Sequence, residues 1–167
     1  LAKKKYKVTA TEISPKLIRW LKKKFKKKNL EFKLISKSGT KLPYKNNHFD
    51  HIVCLGVLNL FGTRDKSKYM INEFLRCLKD RGKLIISLLA RQNFFVKQGT
   101  FLTKDHYLFN DKERFHKNKR KYKLYIPDVP GLKKLFNTEN FSHFEIGSWD
   151  NNYCGVKGKH NVVIIQK

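Results

Sequence analysis

The sequence predicts an α/β fold built on a mostly parallel, twisted sheet with flanking helices. Three observations predict it. Short apolar or β-branched runs alternate with amphipathic helical stretches between residues 8 and 89. The first run, Val8 to Glu12, ends on an acid, and Ser14-Pro15 opens a helix at once. The most apolar run, Lys83 to Leu89, follows a strongly amphipathic helix across Gly82. Strands alternating with helices of this length make right-handed βαβ units, and these require parallel neighbours.

The elements follow in order. Val8 to Glu12 reads as a short strand. Ser14 is a good N-cap and Pro15 a good first helical residue, because a proline's missing N–H costs nothing there. Leu17, Ile18, Leu21 and Phe25 recur at helical spacing on one face, and the helix is expected to run to Asn29. Glu31 to Ser36 alternates polar and apolar as a second strand. Ser38-Gly39-Thr40 is a turn. Phe49 to Leu55 is a short apolar run, the pattern of a strand buried on both faces. Arg64 to Lys79 reads as a helix with Met70, Ile71, Phe74, Leu75 and Leu78 inward, broken by Gly82. From Arg91 to Tyr125 no period holds, so 91–125 is expected to be a substrate-side insertion or lid. A short helix starts near Pro130 and runs through Phe136. Phe144 to Gly147 and Asn161 to Ile165 are the final strands, an antiparallel pair joined by a long loop. Residues 1–167 are expected to form one domain.

Composition bounds the class. With 40% hydrophobic and 13% aromatic residues, the 167-residue chain can bury a core, which excludes wholesale disorder. No apolar run approaches the roughly 18 residues of a membrane span. Three scattered cysteines, Cys54, Cys77 and Cys154, form no CxxC pair and suit a reducing cytoplasm. No spacing of His, Cys and carboxylates matches a metal site, and Cys154 with His160 is a chance pair. The net charge of +25 fits a polyanion partner such as nucleic acid, yet the basic runs are scattered and not interleaved with stacking aromatics. The plainer reading is a lysine-rich solvated surface.

Glu12 carries the sharpest chemical signal. In a nucleotide-binding βαβ unit, an acid at a strand end accepts hydrogen bonds from ribose hydroxyls, about 20 residues beyond a glycine-rich turn. Only eleven residues precede Glu12 and none is glycine. The turn and the strand before it are therefore expected upstream of Leu1.

Four pieces in order carry a resemblance: Glu12-Ile13-Ser14-Pro15; Leu42-Pro43-Tyr44 with Phe49-Asp50; Val53-Cys54-Leu55-Gly56-Val57-Leu58-Asn59; and Phe74 to Leu84. Together they resemble the class I S-adenosylmethionine-dependent methyltransferases of the broad methyltransferase-domain group, over roughly the first 90 residues. The resemblance implies a Rossmann-like sheet of order 3-2-1-4-5-7-6 with the last strand antiparallel, here lacking its first strand and glycine loop. It implies S-adenosylmethionine as cofactor, with Glu12 on the ribose, Ile13 on an adenine face, Ser38 and Gly39 at the adenine edge, and Cys54, Leu55 and Gly56 bordering it. Ser38-Gly39 stands where many members carry an acid.

The acceptor is expected to be a small molecule or a saccharide intermediate; a nucleic-acid substrate gripped by the basic surface, and a non-catalytic remnant of the fold, are the alternatives. An O- or N-acceptor calls for a general base. His106 is the first candidate, with His116 and Asp105 behind it, although none carries a recognisable motif and a plain surface residue is the commoner reading of each. Asn59 is read as a substrate contact or as a cap of the next turn, Cys54 as a small buried hydrophobe, and Trp149 to Gly155 as a pocket wall or a surface loop.

Overall fold

In the computed structural model the described residues are 6–26, 30–35, 41–111, 120–137, 139, 141–153 and 156–167. The chain divides into two units, Leu1–Pro43 and Tyr44–Lys167.

The first unit is one βαβ turn: β1 (Val8–Glu12), α1 (Pro15–Lys24) and β2 (Leu30–Leu34). β1 and β2 pair in parallel, with Val8 opposite Leu30 and Glu12 opposite Leu34, and Ile35 donates to the Glu12 carbonyl at 2.9 Å. The expected helix start is met: the Ser14 hydroxyl accepts from the Leu17 N–H at 3.3 Å, and Pro15 follows. The helix ends earlier than expected, at Lys24, where Phe25 closes the last bond to Leu21. Ile18 is its buried residue, whereas Leu17 is exposed.

The second unit begins with β3 (Phe49–Leu55), a 3-10 turn (Leu58–Phe61) and α2 (Arg64–Cys77). Next come β4 (Leu78–Leu89), α3 (Phe94–Lys97), β5 (Thr100–Thr103), β6 (His106–Asp111) and β7 (Arg120–Tyr125). α4 (Val129–Phe136), β8 (His143–Tyr153) and β9 (Val156–Gln166) complete it. Its main sheet has the order β3-β4-β9-β8, and β5-β6-β7 form a separate antiparallel sheet. Leu84, Ile86 and Leu88 of β4 and Val163 and Ile165 of β9 are fully buried in the core with Ile71, Leu132 and Leu135 of the helices. Each such side chain contributes roughly 1.5–3 kcal/mol of transfer free energy.

The α/β class holds, and two expectations about the sheet are corrected. It is mixed rather than mostly parallel, since only two of the six strand pairings, β1–β2 and β3–β4, are parallel among the described residues. Two of the four antiparallel ladders come from β9, which returns against β8 and lies between β8 and β4, and the other two from the sheet β5-β6-β7. β3 is also not buried on both faces. Val53 and Leu55 are about half exposed while Cys54 is buried, the alternation of a one-sided strand. Among the described residues neither β1 nor β3 has a partner on its second edge.

Further differences have local causes. α2 stops at Cys77 because Leu78 turns extended, and Arg81 then adopts a left-handed φ of 59°. Gly82 is needed not to break a helix but because a Cβ there would lie 2.7 Å from the Lys79 carbonyl oxygen. The long loop expected between the last strands is itself strand, with Trp149 opposite His160. Residues 91–125, expected to lack regularity, include α3, β5, β6 and β7. Here aromatic and β-branched residues pair across strands, and Val96, Leu124 and Ile126 form a buried cluster under Leu89, Tyr107, Phe109 and Tyr122.

Candidate functional site

In the first unit the end of β1 forms a small carboxylate turn. The chain leaves the strand at Glu12 and enters α1 two residues later, so the N–H groups of Ile13 and Ser14 point back along the turn. The Glu12 Oε1 accepts from both, at 2.8 and 2.9 Å. Oε2 has no partner among the described residues. The carboxylate is thus fixed by one oxygen and open at the other, an arrangement that accepts a donor pair such as a diol. Ile13 is 46% exposed beside it, an apolar surface against which a flat ring can lie. Ser38 and Gly39 lie outside the described residues.

In the second unit β3 ends in a backbone turn. Gly56 has φ +70°, and its N–H donates to the Ser87 carbonyl at 3.0 Å and hydroxyl at 3.1 Å. A Cβ on Gly56 would meet nothing within 4 Å, so the space in front of the turn is open. Leu55 is 51% exposed. Cys54 points the other way, into the core, and burial pushes its thiol up to about 12. It is a packed hydrophobe and not a nucleophile.

Asn59 contacts neither solvent nor an open cleft. It is completely buried, its Nδ2 donates to the Tyr125 carbonyl and its Oδ1 accepts from the Leu89 N–H, both at 2.8 Å. It ties the ends of β4 and β7 together behind the 3-10 turn. Neither sequence reading of Asn59, substrate contact or local cap, matches this role as a long-range strut.

The β5–β6 turn brings Asp105 and His106 together. Asp105 Oδ1 is held by Arg91 Nη2 at 2.7 Å, and Arg91 also reaches Asp128 Oδ2 at 3.6 Å. The His106 Nδ1 lies 2.8 Å from the Thr103 hydroxyl, and its ring centroid is 5.5 Å from that of Tyr125. Asp105, Tyr125 and Asp128 line a cavity of about 340 Å³ with Arg64, Lys104 and Lys134. Burial, chiefly, pushes the Tyr125 hydroxyl above its ordinary range. His116 lies outside the described residues, as do Cys154 and Gly155. Tyr125 and Arg91 were not singled out from sequence. The nearest signal was Asp128 before Val129-Pro130, an N-cap followed by a helix-opening proline, and its Oδ1 does accept from Gly131 at 2.8 Å. Nothing in the sequence marks Arg91.

The sequence profile of the methyltransferase domain matches residues 1–86, just over half of the chain. The chain belongs to the methyltransferase-domain family. An uncharacterized protein of Methanocaldococcus jannaschii is 32% identical over 78 residues, 46% of this chain, which spans 28% of that protein's length. Among solved structures, a methyltransferase of Methanosarcina mazei, described as dependent on S-adenosylmethionine, superimposes with a TM-score of 0.76 at 19% identity. The match covers 99% of this chain and 84% of that one. The 1,6-didemethyltoxoflavin-N1-methyltransferase of Burkholderia thailandensis, solved with 1,6-didemethyltoxoflavin and S-adenosylhomocysteine, matches at TM-score 0.57 and 16% identity. That match covers 97% of this chain and 61% of that one.

Proposed function

We propose that this protein, in the cytoplasm, transfers the methyl group of S-adenosylmethionine to a small-molecule or saccharide acceptor by direct displacement. The observation that carries the reading is the Glu12 carboxylate, fixed through Oε1 and open at Oε2 at the end of the first strand. This acceptor fits the ribose diol of the cofactor, and the open space at Gly56 tolerates a close approach to backbone. Bound, the cofactor supplies a methyl group already activated on a positively charged sulfur. Glu12 would hold the ribose hydroxyls, Ile13 an adenine face, Ser38 and Gly39 the adenine edge, and Leu55 and Gly56 the border along β3. Cys54 supports that border from behind.

The chain's remaining task is alignment and proton removal. The Asp105 carboxylate is already engaged by Arg91, so His106 is the freer proton acceptor on its turn: Thr103 holds Nδ1, and Nε2 has no partner among the described residues. The Burkholderia neighbour, solved with 1,6-didemethyltoxoflavin bound, supports a small molecule. Residues 91–125 suit a substrate-side cover.

Calorimetric titration of S-adenosylmethionine into the full-length protein tests the reading. Binding is expected, and Glu12→Gln should weaken it by about 10-fold, the worth of one charge-assisted hydrogen bond. No heat of binding to the unmutated protein sinks the proposal and leaves a non-catalytic fold. The net charge of +25 favours a second reading, a nucleic-acid acceptor. RNA affinity that falls steeply between low and moderate salt would select it.

A further inference from the structure

The cavity beside Tyr125 has a charge pattern that the methyl-transfer reading alone does not require. Three cations on three separate elements converge on it: Arg64 at the start of α2, Lys104 in the β5–β6 turn and Lys134 on α4. None of the three side chains has an ion pair or hydrogen bond among the described residues. The two carboxylates in the wall are already occupied. Arg91 lies 2.7 Å from Asp105 and 3.6 Å from Asp128, and Asp128 also accepts from the Gly131 N–H at 2.8 Å. Cations therefore exceed unclaimed acids, and the buried Tyr125 adds a hydroxyl to the lining. The α4 terminus adds little, since Pro130 has no N–H and Gly131 is already bonded.

We propose that this cavity binds an anionic group, carboxylate or phosphate monoester, of a small-molecule methyl acceptor. The inference rests on the methyl-transfer reading for the word acceptor, and on the cavity alone for the anion. Like charges brought together at an unliganded surface repel, and a bound anion relieves them through charge-assisted hydrogen bonds. At about 340 Å³ the space suits a small ligand group rather than a polymer.

Backbone amide shifts of the full-length protein, titrated separately with inorganic phosphate and with succinate at constant ionic strength, test it. Saturable shifts at Lys104, Tyr125 and Gly131 are expected, and the stronger of the two probes identifies the group. The Arg64→Gln/Lys134→Gln double variant should weaken binding at least ~10-fold with an unchanged near-ultraviolet spectrum, and Lys68→Gln on the outer face of α2 should not. No saturable shift with either probe, or equal binding by the double variant, overturns the proposal. So does a short RNA oligomer that displaces phosphate from these amides, which would make the cavity a nucleic-acid contact. Cofactor calorimetry on the same samples keeps the two readings apart: cofactor binding without anion binding rejects only the cavity, and the converse rejects only methyl transfer.

Discussion

The amide of Asn59 donates to the carbonyl of Tyr125 over 2.8 Å, across 66 residues of sequence. The same side chain accepts from Leu89, so one buried amide fixes the end of β7 against the end of β4. Asn59→Ala leaves a carbonyl and an N–H buried without partners, at about 1–3 kcal/mol each. Urea unfolding should show a loss of about 3 kcal/mol. Asn59→Asp should be at least as damaging, because a carboxylate oxygen then faces the Tyr125 carbonyl. A loss under about 1 kcal/mol for both variants would show that the strut is dispensable.

Arg76 clamps the chain entering β3 to α2. It meets the Glu73 carboxylate through two bonds of 2.8 Å and reaches the Tyr44 carbonyl at 2.8 Å and Asn46 Oδ1 at 3.0 Å. Glu73 holds the Arg76 guanidinium above its ordinary range. Arg76→Met removes all four contacts and takes the guanidinium from Glu73, which is only 8% exposed. Because the pair retains some solvent contact, about 2 kcal/mol is expected rather than the larger cost of a fully buried pair. Glu73→Gln in the Arg76→Met background should recover part of it. A double variant no more stable than Arg76→Met would rule out the lost charge pairing as the cause.

Local signals made much of this fold legible. Val8–Glu12 and Phe49–Leu55 have the bounds the sequence implied, since an N-cap with proline, or a polar loop, delimits each. The first and second helices start where Ser14 and Thr63 cap them. Their C-termini were harder, because no glycine marks them and tertiary contacts decide where the chain turns. Thus Leu78 joined the helical stripe by spacing but serves the strand. Residues 91–125 were illegible for a related reason. Their aromatics sit at cross-strand positions, such as Phe109 opposite Tyr122, and a period-2 pattern in four- to six-residue strands is too brief to register. Of the candidate site, Glu12 was readable because its partners are its immediate neighbours. Arg91, Tyr125 and Asn59 depend on contacts up to 66 residues away, which no local window contains.

Two glycines separate strain from space. Gly62 combines φ +71° with a close approach, since a Cβ would lie 2.9 Å from the Lys123 carbonyl oxygen of β7. Gly147, in the middle of β8, would place a Cβ in open space. Gly62→Ala should therefore cost about 2 kcal/mol or more, through left-handed backbone strain and displacement of β7. Gly147→Ala should be neutral or slightly stabilising, because it narrows the unfolded ensemble. Thermal midpoints decide: equal midpoints for the two variants would contradict the 2.9 Å approach.

His160 links stability to mild acid. It is 8% exposed on β9, opposite Trp149 of β8, with ring centroids 5.9 Å apart. Burial lowers its pKa below the ordinary 6.5, because the charged imidazolium loses its hydration there. As pH falls, the unfolded chain therefore takes up this proton before the folded one. The stabilising contribution is complete above about 6.5, is lost as pH drops toward the folded value, and is flat below that. Asp50 and Glu31 are also lowered, by Lys79 and by Thr9 respectively, but both lie at the surface and titrate in stronger acid. The thermal midpoint should thus fall between pH 7.5 and 5.5, and His160→Gln should flatten that fall, whatever its absolute stability. If the variant keeps the full slope, the acid sensitivity belongs to other groups and His160 is solvated enough to titrate normally.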